Sequence, residues 1–177
     1  MPFARMAARR RRAEIEFSGD VGNGEELQRA IPEIARMDEI LFGERRLTAK
    51  QLRAMAAMKG FFVFIGWASM HHAVNSYAFV RRYSRVTRVV RLAVAPGCHG
   101  RGIGRAVLNG IQDHTRKPLS AFVNDQWLGA QLFFQRCGFH AVGHPMMDSR
   151  SEEWYRFVRG VGWEPPPRCN HVIPEEK

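Results

Sequence analysis

Cysteine is scarce. The 177 residues hold three, Cys98, Cys137 and Cys169. An odd, scattered set builds no disulfide framework and suits a reducing compartment, so a cytoplasmic setting is expected. Lysine is nearly missing too: Lys50, Lys59, Lys117 and Lys177 are the only ones, and the rest of the 27 basic residues are arginine. Acidic residues number 17, which leaves a net charge of +10. Such a surface attracts anions: phosphorylated cofactors, nucleic acid or acidic protein patches. The bland alternative is a merely soluble surface. No apolar run reaches the roughly 18–20 residues of a membrane span, so no membrane partner is expected. The opening "MPFARMAARRRR" lacks the apolar stretch of a secretory leader and the serines of an organellar transit peptide. It reads as a disordered basic arm over 1–11.

A hydrophobic fraction of 45% is ordinary for a globular fold. The spacing predicts one domain over 12–160, followed by a Pro-rich tail over 161–177 that begins "VGWEPPP". "RAEIEF" (12–17) alternates as a half-buried strand. A helix is expected from Glu25 to about Met37, strained or broken by Pro32. A cleaner helix follows Thr48, with Leu52, Met55 and Met58 on one face and Gly60 as its stop. Strands are expected at 61–70 and 76–83, joined by a turn at "HHAVN" that exposes His71 and His72, and a long one at 85–96. A helix over 102–115, a short strand at 119–123, a helix marked by Leu128, Gln131, Leu132 and Gln135, and two last strands in "FHAVGH" and "EEWYRFVRG" complete the order. Strands alternating with helices in the second half imply a mixed α/β sheet.

The stretch "LAVAPGCHGRGIGRAVL" (92–108) sits at a strand-to-helix junction, where open α/β sheets bind ligands. Gly100, Gly102 and Gly104 remove side chains where successive N–H groups meet the positive end of a helix dipole. Arg101 and Arg105 add charge. This reads as a phosphate cradle; the alternative is a tight loop that merely needs positive φ. Ile103 follows Gly102 where a Walker loop needs lysine, and Arg105 stands where the dinucleotide fingerprint needs glycine, so both of those fail.

The stretch resembles the acetyl-CoA motif of the GCN5-related N-acetyltransferase (GNAT) family, Gln/Arg-x-x-Gly-x-Gly/Ala after a strand ending Val-x-Pro. Here it is His99-Gly100-Arg101-Gly102-Ile103-Gly104 after Val94-Ala95-Pro96, with histidine at the first position. "GAQLFFQRCGF" (129–139) is similar to the family's Ala-x-x-Phe-Tyr-x-x-x-Gly-Phe helix. The two span about 85–139, and the second half looks most like the branch acetylating ribosomal-protein N-termini. The resemblance implies a mixed, mostly antiparallel sheet with splayed central strands and helices on both faces. It also implies that acetyl-CoA lies along Leu92, Ala93 and Val94, with the Val94 N–H polarising the acetyl carbonyl. Its pyrophosphate would rest on His99 through Arg105, and its sulfur beside Phe134. An amine would attack directly.

Three polar positions of the family are apolar here. Phe134 replaces the tyrosine that often serves as acid, Trp127 an asparagine, and about Phe122 a glutamate. Asp125, just past the short strand, is the substitute base, and Tyr155, on a terminal strand, the substitute acid; a solvated turn aspartate and a packing tyrosine are their plain alternatives. Cys98-His99 as a nucleophilic pair and Cys169 with His171 as metal ligands are weaker, and no metal is expected. The acceptor would be a primary amine: a protein N-terminus, a lysine or a small amine. A CoA-binding module engaging RNA or a ribosomal or other protein partner, and a transferase of aminoacyl-tRNA, remain open, as do monomer and homodimer.

Overall fold

The computed structural model describes residues 24–68 and 73–160. The expected arm, the strand at 12–17, the tail, and His71, His72, Cys169 and His171 lie outside the described residues. The described elements run α1 (Glu25–Phe42), a 3₁₀ turn at Gly43–Arg45, α2 (Ala49–Ala57), β1 (Phe61–Ala68), β2 (Ala73–Arg82) and β3 (Thr87–Val94). After a 3₁₀ turn at Pro96–Cys98 come α3 (Ile103–Thr115), β4 (Leu119–Asn124), α4 (Leu128–Arg136), β5 (His140–Met147) and β6 (Glu153–Arg159).

The strands form one sheet in the order β1-β2-β3-β4-β6-β5. Only β3 and β4 are parallel; every other neighbouring pair is antiparallel. Alternating side chains send two apolar sets to opposite faces. Val89, Ala121, Val123 and Phe157 pack with Val107, Leu108 and Ile111 of α3 and Phe134 of α4. Val63, Ile65, Tyr77, Phe79 and Ala93 pack with Leu27, Ile31 and Ile34 of α1 and Leu52 of α2. The sheet is thus covered on both sides, as a sheet apolar on both faces requires.

Several boundaries differ from the sequence reading for physical reasons. α1 runs unbroken through Pro32. Pro32 lies on the exposed side, where solvent can satisfy the carbonyl its missing N–H abandons. Thr48 caps α2 in a reciprocal box with Gln51, but Met58 falls after the helix and is 52% exposed. Ala73, Val74 and Asn75 belong to β2 rather than to the turn. In α4 the apolar face is rotated: Gln131 and Phe134 are buried while Leu128 and Leu132 are exposed.

Asp38, fully buried in α1, joins the two layers of this face. It accepts hydrogen bonds from the Tyr77 hydroxyl, the Leu47 N–H, and Arg91 Nε at 2.8 Å and Nη2 at 2.6 Å. Burial, then the bond and charge of Asp38, push the Tyr77 hydroxyl far above its usual range. Unfolded tyrosine loses its proton near pH 10 while the folded one keeps it, so Tyr77's contribution is full below about pH 10 and drains above it. In urea melts the stability difference between wild type and Tyr77→Phe should shrink as pH rises past 10. A constant difference would sink this account.

Candidate active site

β3 and β4 pair over only three residues, Thr87–Val89 with Leu119–Ala121, and then part. A bulge lies at the same point. Phe79 faces Arg91 and Val80 faces Val89, so Val90 is an extra residue and stands 41% exposed. Beyond it, Leu92 and Val94 turn to the α3/α4 side, while Arg91 and Ala93 turn to the α1 side. The Ala95 N–H bonds the Asn75 carbonyl of β2 at 2.8 Å. Backbone groups alternate along a strand, so the N–H and C=O of Val94 point the other way, into the gap. The imidazole Nε2 of His99 lies 2.7 Å from the Val94 carbonyl. That contact leaves the Val94 N–H as the gap's donor.

At the mouth of the gap, Gly100 (φ +73°) and Gly102 (φ +80°) have left-handed backbones, and a Cβ on either would meet nothing within 4 Å. Gly102 is the N-cap of α3 and provides no side-chain cap. The first helical bond runs from Ala106 N–H to Gly102. The N–H groups of Ile103, Gly104 and Arg105 therefore have no intrahelical acceptor. Open space over free N–H groups fits a pyrophosphate. Gly104 has another reason to be glycine: its Cβ would come within 3.0 Å of the Phe133 ring and 3.6 Å of Val94. Arg101 is exposed beside the cradle, whereas Arg105 reaches across to the Arg136 carbonyl at the end of α4, 2.8 Å away.

The residue from α4 that packs at the gap is Phe133. Phe134 is 7% exposed and set among aromatic rings, 5.0 Å from Phe139 and 6.3 Å from Phe157 between centroids. Where the sequence reading turned Phe134 toward a cofactor, the structure turns it into the core.

Asp125 and Tyr155 come together on one face. Tyr155 stands opposite Val123, and the Asp125 N–H continues the ladder by bonding the Glu153 carbonyl at 3.0 Å. The two are thus diagonal neighbours across β4 and β6 on the α3/α4 side. One carboxylate oxygen of Asp125, Oδ1, is buried with no hydrogen-bond partner. An orphaned carboxylate oxygen is costly unless something arrives to satisfy it. Gln131, which sequence reasoning passed over as a helix marker, fixes this turn. Its Nε2 bonds the carbonyls of Asn124 (3.2 Å) and Asp125 (2.9 Å). The only signal was a polar residue on what proved to be the buried face. Cys98 is a free thiol, and its neighbour His99 is occupied with Val94.

On the α1 side of the same sheet end lies a cleft of about 480 Å³, lined by Phe42, Glu44, Arg45, Trp127, Arg150 and Glu152 among others. Trp127, at the apolar position noted in the sequence, packs against both Phe42 and Trp154, each at 6.0 Å. Asn124, the last residue of β4, donates to Glu152 at 2.9 Å, which ties the cleft to the rim of the gap. Among the described residues no cluster of three metal-ligating side chains forms, and no helix is long and apolar enough to cross a membrane.

Residues 58–141 match the family model of the acetyltransferase (GNAT) domain. A GNAT-family structure from Desulfovibrio desulfuricans superposes with a TM-score of 0.68 at 16% identity, over 82% of this chain and 98% of that one. The Escherichia coli ribosomal-protein-S18-alanine N-acetyltransferase gives 0.61 at 15%, over 81% and 93%. Arabidopsis thaliana NAA60 in complex with acetyl-CoA gives 0.64 at 12%, over 76% and 95%. No curated protein sequence matches the chain. At such identities the likeness establishes the fold, a six-stranded, mostly antiparallel sheet splayed at its centre.

Proposed function

From the match of residues 58–141 to the acetyltransferase (GNAT) domain model, we propose that the chain transfers the acetyl group of acetyl-CoA to a primary amine by direct attack. The observation that carries this reading is the gap. β3 and β4 part behind a helix start stripped of side chains, and the Val94 N–H faces the opening. Acetyl-CoA supplies the activated acyl group. The free N–H groups of Ile103 to Arg105 hold its pyrophosphate, and Leu92, Ala93 and Val94 offer strand edge to its arm. The Val94 N–H donates to the acetyl oxygen as charge develops there. Asp125 takes the proton the amine must lose, and Tyr155 returns one to the sulfur as the carbon–sulfur bond breaks. The cleft on the α1 side receives the amine. Likeness to the Escherichia coli enzyme supports a peptide N-terminus as acceptor.

The test is acetyl-CoA turnover against pooled peptides, polyamines, aminoglycosides and charged tRNA. Asp125→Asn and Tyr155→Phe should each lower kcat by roughly 10²–10⁴-fold with CoA affinity unchanged. Full activity in both variants would remove these two roles. One observation favours a second reading, a CoA-binding module that engages RNA or a ribosomal or other protein partner through its basic surface: with Phe134 in the core, α4 presents no ionisable group to the gap. CoA binding without acetylation of any acceptor would favour it. Acetylation of charged tRNA alone would select the aminoacyl-tRNA reading.

A further inference from the structure

At one corner of the cleft the chain holds a cation of its own. The Arg45 guanidinium sits 5.4 Å from the ring centre of Trp127 and 5.7 Å from that of Trp154. The two indoles meet at 68°, so they form two walls rather than a sandwich. Glu152 closes the corner through an ion pair with Arg45 Nη2, and its other oxygen is fixed by Asn124. Asp148 backs the Trp154 wall, its Oδ2 accepting from the indole Nε1 at 3.1 Å. Its carboxyl is held below the usual range first by the Glu152 backbone N–H and, among smaller causes, by Arg45. Two π faces and the Glu152 carboxylate around one guanidinium make a seat for a positive charge.

Arg45 is held by its backbone as well as by this seat. It ends the short turn Gly43–Arg45, and its backbone is anchored separately, with Arg91 Nη2 donating to its carbonyl at 2.7 Å. The side chain can swing out by rotation about its own bonds while the turn stays in place. Its side chain is 25% exposed, so the path to solvent is open. Glu44, exposed and with no described ion pair, stands beside the exit to receive an incoming cation.

We propose that this corner is the subsite for a second cationic group of the acceptor amine, and that Arg45 is its stand-in until the acceptor arrives. The inference rests on the acetyl-transfer reading for what the acceptor is, but the seat itself can be tested without acetyl-CoA. The acceptor chemistry is an amine carrying a further ammonium or guanidinium a few bonds away. A polyamine and a basic peptide N-terminus both supply it.

Calorimetry on the full chain tests the seat, with the diamine putrescine, a Gly-Arg-Gly amide and the monocation propylamine as probes. Arg45→Ala should bind putrescine or the peptide at least 10-fold more tightly than wild type, with propylamine little changed. Adding Glu152→Gln should erase the gain. Whichever dication gains more names the source. Arg45→Met, which keeps the apolar stem over the indoles, gives the same comparison if Arg45→Ala does not fold. The proposal is overturned if neither dication gains, if the gain survives Glu152→Gln, or if an acidic peptide outcompetes both on wild type. A separate CoA titration keeps the outcomes apart. Dication binding without CoA binding leaves the seat standing and removes the transferase reading. CoA binding without the gain does the reverse.

Discussion

Gly102→Glu is expected to abolish CoA binding while leaving a folded protein. Gly102 is exposed, and a Cβ there meets nothing within 4 Å, so the side chain has room. The left-handed φ of +80° costs a non-glycine residue about 1–2 kcal/mol, which a domain of this size survives. The damage falls on the ligand. A carboxylate would stand at the cap of α3, where the Ile103 to Arg105 N–H groups otherwise face an anion. It would satisfy those donors itself and repel a pyrophosphate. Losing two charge-assisted bonds at about 1.5–3 kcal/mol each gives at least ~100-fold weaker binding. Gly102→Ala is the control, with the same backbone strain and no charge. It should lose some thermal stability and keep most of its CoA affinity. Unchanged affinity in a folded Gly102→Glu protein would remove the pyrophosphate from this loop.

The bare glycine turn ahead of α3 is legible because glycine spacing and a strand-ending proline are local signals. So are most elements: Thr48 marks the start of α2, whereas β3 runs Thr87–Val94, shorter at both ends than the expected 85–96. What could not be read was anything set by tertiary geometry. The two phenylalanines of α4 are adjacent in sequence, and a shift of one residue on a helix is about 100° of rotation. The contact of Phe133 with the Cβ-less surface of Gly104 decides which of them faces the gap. The bulge at Val90 is likewise silent in "RVVRLAV", where only the pairing with β2 reveals the extra residue. Asp125 and Tyr155 stand out in the sequence only singly, by residue type. Their sharing one face follows from the β4–β6 register. The cleft was unreadable, since its walls come from the end of α1, the β4–α4 turn and the β5–β6 hairpin, segments far apart in the chain with no shared motif.

Asp38→Ala should be the most destabilising single change in this region. It removes a fully buried carboxylate that four donors share: the Leu47 N–H, the Tyr77 hydroxyl, and two nitrogens of Arg91. Those donors would be left in a space too apolar to hydrate them. The Arg91 side chain, 14% exposed, would keep its charge. Breaking a buried pair by removing one partner costs roughly 3–5 kcal/mol. At about 2–4 °C per kcal/mol for a chain of this size, Tm should fall by about 6–20 °C. Removing both charges should cost much less, because an apolar pair of similar volume needs no desolvation of ions. Asp38→Leu with Arg91→Met should therefore recover most of the loss. The double variant also isolates what the pair does for the site. Arg91 bonds the Arg45 carbonyl and lies 3.6 Å from the Phe42 ring centre, so it pins the turn that walls the cleft proposed for the acceptor. Without it the turn loosens while the cradle at α3 is untouched. The expected signature is an acceptor KM raised several-fold with CoA affinity unchanged. A double variant no more stable than Asp38→Ala would show that the pair is not what holds α1 to β3. Normal acceptor KM in a stable double variant would show that the turn is held by other contacts.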